Sequence, residues 1–287
     1  MIPGLGRSMD VIFNGDDFGL SSGINRGIIE AFSKGMLASA SIVSNGDAAD
    51  NALDMTRQEN LDLGIHLTLC DERPMRGRSL FKGAGGRRDR LPSRRELMQG
   101  ILSGRLDRSA VEEELRAQIE MPLKRGIRLT HMDSHQFVHL FPAILPVCRR
   151  LAREYGISIM RGMVVDPFDR GAGLKRNLQW SAARVWSLMA GRYGSSPRMM
   201  PVAGFLFAGG RLYRKRLLRM LRLLRLRGME AVEVMLHPGT GDRETKAKYR
   251  GWRYCWENDL SLLMDEDIRG ELLSMGIRVA SFEDILS

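Results

Sequence analysis

Two adjacent carboxylates and a scattered set of histidines are the residues of this chain most able to do chemistry. Asp16 and Asp17 stand in Asn14-Gly-Asp-Asp-Phe-Gly-Leu20 and His66 in Gly64-Ile-His-Leu67. Three more histidines lie in Thr130-His-Met-Asp-Ser-His-Gln-Phe-Val-His139, and His237 closes Glu233-Val-Met-Leu-His-Pro-Gly239. Adjacent carboxylates repel, and without a cation one of them tends to keep its proton. A divalent metal removes that conflict. One Asp oxygen with two neutral imidazoles makes a three-ligand site with a position left for water, and the second carboxylate is then free to act as a base. Successive side chains of a strand alternate, so Asp16 and Asp17 are expected to point apart and to have different roles.

The elements that must carry these residues are short apolar, β-branched runs, each followed by a helix-like stretch. Seven strands are expected, at about Asp10 to Asn14, Ala40 to Ser44, Asp62 to Thr68, Ile127 to Met132, Ile157 to Arg161, Ala231 to Leu236 and Ile277 to Ser281. Gly126, Gly156, Gly228 and Gly276 end helices just before strands, and Ser93 to Glu96 and Ser109 to Glu112 read as capping boxes. Strands alternating with helices pair in parallel and need helical cover, which leaves an α/β protein with either an open doubly wound sheet or a closed barrel, and seven units over this length favour an irregular seven-stranded TIM-like (β/α) barrel. Such folds gather reactive groups at the C-terminal ends of their strands, and His66, His131, His135 and His237 all fall at such ends.

Singly, each motif has an ordinary structural explanation. A double Asp after a strand can be a turn and helix cap, His66 a satisfied core histidine, and His237 before Pro238 a strand terminator. On a helix, His131, His135 and His139 would form one polar stripe, whereas extended geometry puts His131, Asp133 and His135 on one face. The coincidence of four such motifs at strand ends of one layer favours a site.

Composition narrows the remaining classes. The 287 residues are 44% hydrophobic and 27% charged, enough apolar matter for a full core, so disorder is excluded. Cys70, Cys148 and Cys255 are far apart and form no CxxC pair, so neither a disulfide framework nor a zinc knuckle is expected. The longest uncharged apolar stretch, Met199 to Gly210, is interrupted by Pro201 and three glycines and is too short to span a bilayer, and the start lacks the apolar core of a secretory signal. A cytoplasmic protein is expected. One domain is expected over 1–287, with loop insertions at about 70–92, rich in Lys and Arg, and 162–210, which carries Trp180, Trp186 and Tyr193.

The formal charge of +10 implies an anionic neighbour. Residues 211–227 carry eight basic side chains, with Arg211, Lys215, Arg219 and Arg222 on one helical face and Leu217, Leu221 and Leu224 on another. That pattern fits an outer barrel helix, or peripheral attachment to an acidic membrane at its inner face. Nucleic acid is not expected, because no recognised motif appears and aliphatics rather than stacking aromatics are interleaved with the charges.

At the quoted motifs the chain resembles the YdjC-like carbohydrate deacetylase family, which includes chito-oligosaccharide deacetylases, within the glycoside hydrolase/deacetylase barrels. The resemblance spans most of the chain. Gly15 stands where many members carry Ala, and Gln136-Phe137 where they usually carry two more histidines, so those positions are not ligands here. Residue by residue, the resemblance implies that Asp17, His66 and His135 hold a divalent metal, that Asp16 is the catalytic base and that His237 is a candidate acid. It implies magnesium, although two imidazoles and one carboxylate suit zinc or another transition metal better. The implied reaction is hydrolysis of an N-acetyl group from an amino sugar. His131, Asp133, His139, Trp252 and Trp256 are expected to contact the substrate. The block Tyr249 to Asn258 and the Asn-Gly-Asp-Asp variant look most like the branch associated with hopanoid biosynthesis, which implies an amino sugar on a bulky triterpenoid lipid. A second copy of the chain is a further expected partner.

Two rival functions remain at this level. A metal-dependent phosphoesterase would use Arg76, Arg78 or Arg161 to hold phosphate. A basic nucleic-acid-binding protein would leave the histidines structural.

Overall fold

The computed structural model describes residues 8–84, 88–167, 169, 171, 173–190, 196–252 and 254–287, and Tyr193 and the side chain of Trp186 lie outside the described residues. Eight strands form one parallel sheet: β1 (Met9–Phe18), β2 (Ser39–Ile42), β3 (Asp62–Leu67), β4 (His131–Ser134), β5 (Ile159–Val164), β6 (Arg198–Ala203), β7 (Ala231–Leu236) and β8 (Ile277–Val279). β2 through β7 follow one another around the sheet, and β1 pairs with both β7 and β2, so seven strands close a barrel. β8 is not in the ring. It pairs with Met9 to Val11 of β1, below the point at which β2 begins to pair at Asn14.

The ring therefore has the expected number of strands with a different membership. The run at Ile277 is a strand attached beneath the ring, and the seventh member, β6, lies inside the stretch expected to be an insertion. Pro201 explains why: it cannot donate to a ladder, and a proline argues against an internal strand. The sheet accommodates it at an irregularity, since pairing with β5 runs from Ile159–Arg198 to Arg161–Met200 and resumes only at Val164–Val202, where pairing with β7 begins. β4 also starts later than expected, at His131.

Helix ends follow local chemistry. Ser93 and Glu96 form the expected capping box. The second one is corrected: Asp107 caps the helix Arg108–Lys124, and Ser109 Oγ instead bonds Glu113 at 3.1 Å. Gly126, Gly156, Gly228 and Gly276 all have positive φ, as a helix-ending glycine requires.

Among the described residues the buried apolar side chains form three clusters, one of them Val164, Val202 and Met235. A large core lies between the strands and the surrounding helices, and a small cluster of Ile12, Ile159, Met200, Ala231 and Phe282 plugs the floor of the barrel. The helix Arg214–Leu226 buries Leu217, Met220, Leu221 and Leu224, while Lys215, Arg219 and Arg222 are exposed. Among the described residues no helix is long and apolar enough to cross a membrane. The 70–92 segment is pinned at its neck, where Asp71 N–H donates to Pro92 O and Leu91 N–H to Glu72 O.

Candidate active site

Above the apolar floor the inward side chains become polar, and β1 delivers the most reactive of them. The alternation rule would send Asp16 and Asp17 to opposite faces, but Asp17 has a φ of 69° and the β1–β2 register shifts between Gly15 and Phe18. This bulge turns both carboxylates toward the same interior. The expectation that they point apart is thereby corrected, although their partners do differ. His66 sits on the inward face of β3, and His135 follows β4 directly, at a tight turn in which Gln136 and Phe137 take φ of 55° and 59°. Two consecutive non-glycine residues at positive φ are costly, and such strain gathers at functional sites. His237 follows β7 on a loop packed so closely that a Cβ on Gly27 would meet Gly239 Cα at 2.3 Å.

Asp17, His66 and His135 converge. Asp17 Oδ1 is 3.2 Å from His135 Nδ1 and 3.4 Å from His66 Nε2, and its Oδ2 is buried without a hydrogen-bond partner. One candidate ligand atom from each residue lies within 4.8 Å of the others. Burial works to raise the Asp17 carboxyl, but His135, then His66 and His237, outweigh it and hold the group below its ordinary value. A buried carboxylate with one oxygen between two imidazoles and the other without a hydrogen-bond partner is the donor set of a divalent-cation site, so these residues fit a metal.

Asp16 belongs to a second network organised by a buried guanidinium. Arg161, 1% exposed, donates from Nη1 to Asp16 Oδ2 at 2.7 Å and from Nη2 to Asp16 Oδ1 at 2.6 Å. It also donates from Nε to Glu233 Oε1 at 2.9 Å, and its Nη2 pairs with Asp133 Oδ2 at 2.5 Å. Asn14 Nδ2 donates to Asp16 Oδ1 at 2.8 Å. Burial alone would raise Asp16, yet Arg161 and His66 hold it well below the usual carboxylate range. Glu233 goes the other way, pushed up to about 7 by burial against the pull of Arg161. For His66, burial is outweighed by Asp133 and Asp16, and the imidazole rises to about 9. Three carboxylates thus share one arginine, with Asp17 a fourth beside them, and the excess negative charge favours a further cation. Asp16, His66 and Asp133 also lie within ligating distance of one another, but Arg161 already occupies those carboxylates.

His237 completes the group, with Nε2 3.9 Å from Asp17 Oδ2 and its backbone N–H donating to Asp259 Oδ2 at 2.9 Å. Burial lowers this imidazole, and its Nδ1 has no hydrogen-bond partner. Trp252 stacks on His135 with ring centroids 4.8 Å apart, and Tyr254 meets His237 edge-on at 4.9 Å. Asp16, His66, His135 and His237 line one part of a cavity of about 510 Å³; Phe137, Leu140, Phe141 and Phe205 line another, and Arg94 and Arg176 also border it.

Several residues expected to touch substrate are placed elsewhere. His131 is 1% exposed and stacks on Phe282 at 3.8 Å, in the barrel floor, where a Cβ on Gly64 would collide with it. His139 is fully buried between Ser134 Oγ and the Arg161 carbonyl, 2.9 Å from its Nε2. Burial pushes both imidazoles down to about 4. Asp133 has no exposed surface and spends its oxygens on His66, Ser41 and Arg161. Trp256 is 2% exposed in the core, so only Trp252 of the two tryptophans lies against a site residue. The phosphate-binding roles considered for Arg161 and Arg78 are corrected too, since Arg161 holds carboxylates and Arg78 pairs with Asp107 and Glu113. Sequence reasoning missed Glu233 and Ser41 as parts of the site and gave Arg161 a phosphate-binding role only. The available signal was a charged or polar residue on the inward phase of a buried strand, as Arg161 is two residues after Ile159.

Comparisons with known proteins show what the chain is similar to. A family model described as YdjC-like protein matches residues 10–273. A carbohydrate deacetylase of Listeria monocytogenes serotype 4b (strain CLIP80459) is 30% identical over 281 residues, 96% of this chain and 100% of the relative. A carbohydrate deacetylase of Vibrio campbellii is 28% identical over 283 residues, 97% of each chain. Among solved structures, a protein of Enterococcus faecalis V583, named as a candidate for cellobiose-phosphate cleavage, shares the fold with a TM-score of 0.71 at 21% identity, covering 97% of this chain and 99% of that one.

Proposed function

The chain belongs to the YdjC-like family, and on that premise we propose that it is a carbohydrate deacetylase, a hydrolase that cleaves the amide of an N-acetylated amino sugar. The observation that carries the reading is the convergence of Asp17, His66 and His135 beside Asp16, with Asp16, His66 and His135 on the wall of a substrate-sized cavity.

In this reading Asp17, His66 and His135 hold a divalent cation. When bound, the cation supplies Lewis-acid polarisation of the acetamide carbonyl and acidifies water. Asp16 accepts the proton of the attacking water. Arg161 and Asn14 fix the direction of its lone pairs, so the base is oriented before substrate arrives. His237, on the far side of Asp17, delivers a proton to the departing amine. Its pKa is lowered, so it starts neutral, and the proton it passes to the amine is the one Asp16 takes from the water, which leaves both groups as they began. Phe137 and the residues about it exclude bulk water from the reacting groups. The products are acetate and a free amine.

The finer substrate assignment is an amino sugar carried on an apolar aglycone of the hopanoid type, which the aromatic part of the cavity supports. The proposal also covers location and organisation: residues 1–287 act as one catalytic domain, and the exposed basic face of 211–227 attracts acidic lipid.

The test is acetate release from a panel of N-acetylated glycans and glycolipids, with phosphate esters offered in parallel. Acetate release that stops after chelation and returns with added divalent metal is expected. Phosphate release without acetate release would replace this function with the rival one.

A further inference from the structure

We propose that Asp133 is a positioning residue that ties the cation-binding half of the site to the proton-accepting half. This rests on the reading of Asp17, His66 and His135 as ligands. Asp133 was expected to touch substrate, but it has no exposed surface, so no substrate atom reaches it.

Its two oxygens point to two different halves. Oδ1 accepts from His66 Nδ1 at 2.8 Å, which assigns that nitrogen a hydrogen and leaves Nε2, facing Asp17, as the atom that would bind a cation once its own proton is displaced. A histidine that donates its second N–H to a carboxylate is held in one ring orientation and one tautomer and becomes a better donor to a cation. Oδ2 accepts from Ser41 Oγ at 3.0 Å and pairs with Arg161 Nη2 at 2.5 Å. That same Nη2 donates to Asp16 Oδ1 at 2.6 Å. From His66 to Asp16 the path is a chain of direct contacts through one carboxylate and one guanidinium.

Strand register places the pair. His66 and Asp133 are Cα partners across β3 and β4, with both side chains inward, so the contact does not depend on a loop. Ser41 on β2 closes the arrangement: its Oγ is 3.3 Å from His66 Nδ1, 3.5 Å from Asp16 Oδ1 and 3.1 Å from Asn14 Nδ2. Every partner of Asp133 is thus a ligand, the base, or a group touching one of them.

The experiment compares wild type, Asp133→Asn and Asp62→Asn. Asp62 is a control of the same kind, a buried carboxylate that binds Ser39, Thr130 and the Phe282 N–H at the barrel floor, away from the ligands. Affinity of chelator-treated protein for Zn(II) and Mn(II) is read by competition with a chromophoric chelator, beside kcat and the thermal midpoint. Asp133→Asn is expected to weaken metal binding by about 10–100-fold and to lower kcat, with Asp62→Asn retaining the wild-type affinity. Wild-type affinity in Asp133→Asn overturns the proposal, and so does an equal loss in both variants. If wild type itself binds neither metal, the ligand reading fails, a result distinct from either of these. Nitrogen-15 NMR of the zinc-loaded wild type is a second readout that needs no variant: His66 protonated at Nδ1 supports the role, and protonation at Nε2 overturns it.

Discussion

Arg161 grips both oxygens of Asp16, at 2.7 and 2.6 Å, from inside a barrel where neither side chain reaches solvent to any useful extent. The contact fixes the proposed base, but it also makes Arg161 the counter-charge for Asp133 and Glu233. Replacing it with Met would strand three carboxylates, and breaking a buried ion pair costs roughly 3–5 kcal/mol. Arg161→Met should lower the unfolding free energy read from urea titration by an amount in that range and abolish turnover. An unchanged unfolding free energy would mean that the carboxylates are not charged together in the folded protein.

Asp16 and Asp17 separate cleanly by mutation if their roles differ. Asp16→Asn keeps the shape and the contact with Asn14 yet removes the proton acceptor, so kcat should fall by about 10²–10⁴ with bound metal retained. His66→Ala should lose both metal and activity. Full activity in Asp16→Asn would make another group the base.

The proton on His66 gives a pH signature. In the metal-free protein its pKa is about 9, above the ordinary 6.5, so its stabilising effect is complete below pH 6.5 and disappears as the pH rises through 9. A metal displaces that proton. Calorimetric metal titrations at pH 7.5 in two buffers of different ionisation enthalpy should therefore show about one proton released per site. The metal-free protein should also lose stability between pH 7 and 9 more steeply than the loaded one. Heats that do not depend on the buffer would refute the assignment.

Attraction to lipid, if it acts through 211–227, is mainly electrostatic, because Leu217, Leu221 and Leu224 of that helix are buried in the core while Lys215, Arg219 and Arg222 are exposed. Sedimentation with anionic vesicles should be strong in low salt and fade as salt rises, with neutral vesicles left unbound, each cation near the lipid contributing on the order of 1 kcal/mol. Equal binding to neutral and anionic vesicles would remove the idea.

What could be seen in the sequence was whatever depends on short-range pattern. His66 and His237 sit at the ends of apolar runs that became β3 and β7, whereas ahead of His135 only His131–Ser134, later than the expected run, forms a strand. β6 was hidden because Pro201 breaks a strand pattern, and only the register irregularity against β5 makes room for it. The bulge at Asp17 was equally hidden, since alternation is a local rule and the positive φ that overrides it is set by pairing to β2. Arg161, Asp133 and Ser41 come from separate strands and meet only through the closure of the ring. His131 and His139 have the residue type and spacing of site residues, and tertiary packing put one in the floor and the other against a backbone carbonyl.

The most direct measurement is anomalous diffraction from a crystal soaked in Zn(II) or Mn(II). One strong peak within ligation distance of Asp17, His66 and His135, about 2.0–2.2 Å for zinc, with Asp16 alongside but not bound, is the predicted result. No peak there, or those three side chains turned away from one another around an empty centre, would contradict it.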